Sequence, residues 1–288
     1  MATISRRFAT TRWTPVLAAI LHISSKADGD PLPTTMPVTL NFHPDALYRG
    51  MTMIEALAED GVYRSQFETH TSNGGLTAYP GGDRWAWENA IFGMAYADAS
   101  PELRPKYGAL NYRNSITGGS PRFGSSHFRM RPAAMERTTF CYPDSFFAPS
   151  HFATAEKCAL IELAERDNPI TDVLDNYIEA HIHGIMTIAD DVEAVVLDGC
   201  YKETPIDIFA HRLACPVEWH PGYRLAEKHL PECVDYRGKE IADLARKLVN
   251  NGFVTPFDIG LARGKGYDPQ HLKKVWHCVA KFGSPIAE

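Results

Sequence analysis

The segment "DNYIEAHIHG", residues 175–184, sets Ile178, Ala180 and Ile182 in strict alternation with Tyr177, Glu179, His181 and His183. Only an extended chain sorts a period of two onto two opposite faces; a helix would scatter the same residues around its axis. The fold must therefore lay an apolar layer against one side of this strand and something polar against the other. A glutamate and two histidines sharing the polar side are residue types suited to electrostatic, acid–base or metal chemistry.

The same alternation recurs. "VYRSQFET" predicts a strand with Arg64, Gln66 and Glu68 on one face, and "PRFGSSHFRM" predicts one with Ser125, His127 and Arg129 opposite Ser126, Phe128 and Met130. "VTLNF", "RPKYGALNYR", "RTTFCY" and "DVEAVVLD" add further strands, the last central because its run is mostly apolar. Helices are expected over Asp45 to Asp60, closed by Gly61, and in "RWAWENAIFGMAYADA" and "TAEKCALIELAER". Beyond Pro221 the texture changes to three helical segments punctuated by glycine. The expected architecture is an α+β fold with a mixed or mainly antiparallel sheet around a cleft. Its organisation is an N-terminal arm and helix over 1–36, an α+β catalytic domain over 37–220 and a helical C-terminal subdomain over 221–288.

Composition narrows the function classes. A formal charge of -6 offers no basic surplus for gripping nucleic acid or an anionic membrane, while 44% hydrophobic residues supply a sizeable core. The apolar run "VLAAIL" is too short to span a bilayer. Six dispersed cysteines without a CxxC pair predict buried thiols in a reducing compartment, hence a cytoplasmic protein. "MATISRRFATTRW" is acid-free and arginine-rich, as organellar presequences are, but "TTRWTPVLAAILHISSKA" reads as a capped helix belonging to the fold, which makes the start an exposed arm. "HTSNGGLTAYPGGDR" is a long loop, and lacking a GxxxxGK[ST] pattern it reads as structural turns rather than a phosphate cradle.

"LNFHPD", "YRSQFET", "SNGGLTAYPGGDRWAWE", "RPKYGALN", "PRFGSSHFRM", "RTTF", "YIEAHIHG" and "HPGYRL" together resemble the family called domain of unknown function 3626, over most of the chain. The shorter set "RPKYGALN", "RTTF" with "DS", and "YIEAHIHG" is also similar to bacterial and phage-borne toxin modules that look like ADP-ribosyltransferases. That second resemblance implies a toxin-like or effector-like enzyme taking NAD as its substrate. It would cleave the nicotinamide–ribose bond and transfer ADP-ribose to a protein or small-molecule acceptor. Such enzymes carry an Arg strand, a Ser-Thr-Ser strand and a Glu strand in that order, and the matching positions are Arg64, Ser125 with Ser126, and Glu179. Glu179 is then the catalytic carboxylate, since cleavage builds positive charge on the sugar. Arg64 would hold the pyrophosphate, with Arg104 or Arg137 as substitutes. Ser125 would orient the carboxylate or the ribose, "RTTF" followed by "PDS" would line the cleft through Thr138, Asp144 or Ser145, and His181 would accept a proton from the incoming nucleophile. This chain has "SSH" in place of Ser-Thr-Ser, and Tyr177 where a Glu or Gln usually selects the acceptor.

Two other readings stay open on the residues alone. His181 and His183 with His43, His70 or His127 could bind zinc in a metal-dependent hydrolase. The loop glycines and aromatic residues could instead form a non-catalytic small-ligand binding module.

Overall fold

A computed structural model describes residues 14–70, 77–168 and 170–283. In it the alternating segments become one sheet: Val38–Phe42 (β1), Lys106–Leu110 (β2), Ser126–Met130 (β3), Thr138–Tyr142 (β4), His151–Thr154 (β5), Ile178–Ile182 (β6), Val192–Asp198 (β7) and Val217–His220 (β8). The spatial order is β8-β7-β3-β1-β2-β6-β4-β5. Every pairing is antiparallel except β7 with β8. The fold is α+β, with β7 paired on both sides as its apolar run requires.

Register decides which residues share a face. Glu179 lies opposite Ala109 and Cys141, His181 opposite Tyr107 and Thr139, and Thr39 opposite Ala109 and Arg129. The other face carries Leu40, Phe128, Phe140, Ile178, Ala180, Ile182, Val195 and Leu197, which form one apolar cluster. Each fully buried isoleucine contributes roughly 1.5–3 kcal/mol relative to an exposed one, so a one-residue slip in β6 would exchange that gain for buried charge. Helices cover this layer through Ile54 and Leu57 of Met53–Asp60, Leu160 and Ala164 of Leu160–Asp167, and Ile206 and Ala210 of Pro205–Ala210.

The opposite face is covered in its β6–β4 half by a second layer. The helix Thr14–Ser24 (α1) and the region after Asp83–Ile91 (α4) pack together through Ala19, Ile23, Ile91, Phe92 and Tyr96. Phe92 stands edge-on to both His181 and His183, so these histidines sit under an aromatic lid. The first residues of the expected N-terminal arm, 1–13, lie outside the described residues, as does "SNGG" of the glycine-rich loop.

Local chemistry moved two elements from their expected places. The helix expected from Asp45 begins at Met53 (α2), because Thr52 and Glu55 form a capping box there; Gly61 ends it in the left-handed region, at φ 64. "VYRSQFET" is a strand only at Val62–Tyr63. Ser65 and Glu68 then form a second capping box that turns the chain into the short helix Gln66–Thr69 (α3). Arg64, Gln66 and Glu68 are therefore not neighbours on a strand face, and the S-x-x-E spacing in "SQFE" was the signal for this.

Toward the C-terminus, Leu230–Arg237, Lys239–Lys247, Pro256–Gly264 and Pro269–Phe282 gather around their own apolar cluster, which includes Leu244, Ile259, Val275 and Trp276. The expected single helix over "YRGKEIADLARKLVNNG" is broken at Gly238, whose φ of 93 no helix accommodates. Trp276 ties this cluster to the sheet by donating from Nε1 to the carbonyls of Pro121 and Arg122, each at 3.0 Å. Among the described residues no helix is long and apolar enough to cross a membrane.

Candidate active site

The sheet is open in its middle. β1 and β2 pair only at Val38–Leu110 and Thr39–Ala109, whereas β1 pairs with β3 at four positions and β2 with β6 at five. Gly108 marks the parting: a Cβ there would lie 2.5 Å from the Thr39 carbonyl oxygen and 3.1 Å from the Leu40 side chain. Beyond that contact the strands diverge, and a cavity of about 250 Å³ fills the gap. Asn41 and Phe42 line one wall, Tyr107 and Glu179 the other, and Arg64, Gln66 and Arg84 complete the rim.

Glu179 is only 6% exposed, and three donors hold it. Nε2 of His181 lies 2.9 Å from Oε1, the Cys141 thiol donates to the same oxygen at 3.8 Å, and the Ser145 hydroxyl hydrogen-bonds the carboxylate. Burial alone would raise its pKa. The His181 and Ser145 contacts, with the Arg84 charge, outweigh burial and hold the carboxyl below its ordinary range. It is an ionised, oriented carboxylate at the wall of a cavity.

Arg84, from α4, lines the same cavity and is the arginine whose charge acts on this carboxylate. Its guanidinium lies over the rings of Trp87 at 4.4 Å and Tyr107 at 4.6 Å, two cation–π contacts that restrain the fork. Tyr107 is itself held by donating to Glu88 at 2.8 Å. Among the described residues Arg84 pairs with no carboxylate, while Arg64 is held by Asp60 at 3.0 Å and Glu68 at 3.4 Å. Arg84 escaped sequence reading because it lies on a helix with no alternation to flag it.

The remaining expected residues fall elsewhere. Ser125 and Ser126 do not line the cavity; β3 is separated from β6 by two strands, about 14 Å at ordinary strand spacing. The Ser125 carbonyl accepts from His220 at 2.7 Å, and Ser126 Oγ, on the apolar side opposite Phe42, accepts from the Asp198 backbone at 3.1 Å. Arg104 is buried in an ion pair with Glu88 at 2.7 Å, donates to the Tyr96 carbonyl at 2.6 Å and stacks on Phe67. Arg137 is held by Asp191 at 2.7 Å and by the His183 carbonyl. Thr138 donates to the Ala134 carbonyl at 2.7 Å and lies opposite Ile182, so Thr139, one residue on, is the threonine that reaches the glutamate's side. All three brace the site's surroundings and none lines the cavity. Of the anchors expected from the Arg, Ser, Glu order, the structure brings Arg64 and Glu179 to one cleft and leaves the serines out.

His181 is fully buried and absent from the cavity wall, so it meets cleft contents only through Glu179. The expected histidine zinc set does not assemble. Nδ1 of His183 is 2.7 Å from Tyr96 Oη and its Nε2 is 2.8 Å from Thr139 Oγ1. His127 lines a separate cavity, His43 lines the Glu179 cavity but stands edge-on to Trp276 and away from the two strand histidines, and His70 caps α3. Cys141, Glu179 and His181 do cluster, with donor atoms within 4.8 Å of one another. Burial beside Glu179 pushes the Cys141 thiol well above its ordinary pKa, so it keeps its proton and acts as a donor to the carboxylate rather than as a thiolate.

A family model described as "Protein of unknown function (DUF3626)" matches residues 37–165 and 152–282, taking in the sheet, the cleft and the C-terminal helices. No curated protein matches the chain.

Proposed function

The chain belongs to the DUF3626 family, and from that premise and the chemistry of its cleft we propose an ADP-ribosyltransferase-like enzyme that takes NAD as substrate. The observation that carries this reading is Glu179: an ionised carboxylate, nine-tenths buried, facing a cavity rimmed by two guanidinium groups. At about 250 Å³ the space suits one nucleoside half of a dinucleotide. Nicotinamide and its ribose sit inside, against Tyr107, and the pyrophosphate lies at the rim.

In this mechanism the bond between nicotinamide nitrogen and ribose C1′ breaks, and its electron pair leaves with nicotinamide. Positive charge grows on the ribose, and Glu179 stabilises it more strongly than the ground state because its negative charge is fixed in a poorly solvated wall. The acceptor's nucleophilic atom then bonds to C1′, and its proton passes to the Glu179 carboxylate. Arg84, restrained by two rings, is the better preorganised anion anchor; Arg64 contributes after Asp60 and Glu68 have claimed part of its charge.

The test is incubation of the full chain with nicotinamide-labelled NAD, with and without candidate protein acceptors, alongside Glu179→Gln. The expected result is release by the wild type and a fall of about 10²–10³-fold in the variant with NAD binding retained. NAD binding without release under any acceptor condition would leave a binding module, and absence of NAD binding would end the reading.

A further inference from the structure

Five buried side chains are linked by successive contacts leading from the cleft: Glu179, His181, Thr139, His183 and Tyr96. Successive contacts are 2.9 Å from Glu179 Oε1 to His181 Nε2, 3.2 Å from His181 Nδ1 to Thr139 Oγ1, 2.8 Å from Thr139 Oγ1 to His183 Nε2, and 2.7 Å from His183 Nδ1 to Tyr96 Oη. Thr139, Glu179 and His181 come from the paired strands β4 and β6, and Tyr96 from the layer above, so only the assembled fold makes this row.

Donor counting orders the protons. An ionised carboxylate only accepts, so His181 donates from Nε2. A His181 that carries this single hydrogen has no second one to give, so its Nδ1 accepts, and among the described residues the hydrogen in reach is that of Thr139. The Thr139 oxygen then accepts from Nε2–H of His183. A neutral His183 has no second hydrogen, so its Nδ1 accepts from the Tyr96 hydroxyl. Four bonds use four hydrogens, all pointing toward Glu179. Neutral His183 is consistent with its surroundings: burial first, and with it the Arg137 and Lys106 charges, hold its pKa well below the ordinary value.

We propose that Thr139 is a positioning residue for Glu179: its single hydroxyl couples two histidines into a one-way hydrogen-bond relay, started by Tyr96, that fixes the His181 tautomer and hence the carboxylate's orientation. The groups around the relay are compatible with that polarity. The Cys141 sulfur lies 3.8 Å from both Glu179 Oε1 and His181 Nε2, and with Nε2 carrying its hydrogen the thiol donates to the carboxylate; Tyr107 and Phe92 pack edge-to-face with His181, and Arg137 and Lys106 disfavour a second proton on His183. The order of protons does not depend on the substrate; its consequence for catalysis rests on the NAD reading above.

Imidazole ¹⁵N NMR of the full chain, labelled at histidine, reads the tautomers directly at neutral pH. The expected pattern is N–H at Nε2 and a bare Nδ1 for both His181 and His183. In Thr139→Val, which keeps the shape and removes the hydroxyl, His183 loses its reason to protonate Nε2 and moves toward the Nδ1–H form donating to Tyr96. Thr139→Ser restores the wild-type pattern. A wild-type His183 protonated at Nδ1, or a tautomer unmoved by Thr139→Val, overturns the proposal whether or not the protein turns over NAD. With turnover in hand, Thr139→Val lowers kcat and leaves KM nearly unchanged, since the row never touches the cavity.

Discussion

Nε2 of His181 lies 2.9 Å from Oε1 of Glu179, two residues apart on the polar face of β6. This contact lets a nine-tenths buried carboxyl stay ionised, because the imidazole N–H replaces the water that burial removed.

Removing the imidazole therefore has a signed consequence. In His181→Ala burial is offset only by Ser145 and Arg84, so the Glu179 carboxyl gains its proton at higher pH than in the wild type, where its folded pKa is below the ordinary value. Titration of the glutamate carboxyl by ¹³C NMR should show a midpoint displaced upward. A midpoint that stays put would mean Ser145 and Arg84 alone hold the charge.

The two rim arginines should separate in a binding measurement. Arg84→Ala is expected to weaken NAD binding by about ten- to a hundredfold, the range of a lost charge-assisted contact, and Arg64→Ala by only a fewfold. Ser125→Ala should leave binding unchanged, since its hydroxyl has no partner among the described residues and does not reach the cavity. Isothermal titration calorimetry decides the order; a larger effect at Arg64 or Ser125 would contradict the geometry.

Arg104 predicts a stability effect instead. Its removal leaves the fully buried Glu88 carboxylate without its 2.7 Å ion-pair partner and with the Tyr107 hydroxyl as its remaining close donor. Arg104→Ala should lower unfolding free energy by about 3–5 kcal/mol in urea titrations, the usual cost of orphaning one member of a buried pair. A loss below about 1 kcal/mol would show that the pair is better hydrated than its burial indicates.

Acid should weaken the fold well above the carboxylate range. Burial first, then His220 and Arg129, push His127 down to about 3; burial, then Arg122, Arg237 and Lys273, do the same to His277. Unfolded chains protonate these imidazoles near 6.5 and the folded protein does not, so stability is complete above about 6.5 and is lost as pH falls toward 3. Each histidine contributes up to about 1.4 kcal/mol per pH unit in that window. Urea unfolding at pH 7.5 and pH 5 should differ by up to about 4 kcal/mol from the two together; equal values would place both histidines in contact with water.

Much of the sheet was legible from alternation. Ile178, Ala180 and Ile182 went to the core and Glu179 and His181 to the other face, as a period of two demands. "SQFE" was misread because Arg64, Gln66 and Glu68 alternate with Ser65 and Phe67 over a stretch too short to fix a period, while the capping hydrogen bonds between Ser65 and Glu68 turn it into a helix. In "RTTF" a one-residue difference separates Thr138, which faces Ile182, from Thr139, which faces His181, and no local preference chooses between two threonines.

Side-chain parity and helix caps arise between residues a few positions apart, so the order of amino acids alone determined them: which residues would be buried, where α2 stops, and that Glu179 and His181 would stand side by side. Which strands became neighbours, where β1 and β2 part, and which guanidinium faces the glutamate were decided by contacts between segments far apart in the chain. Those depend on how all the apolar faces are buried at once, which is a property of the assembled tertiary structure and of no single stretch.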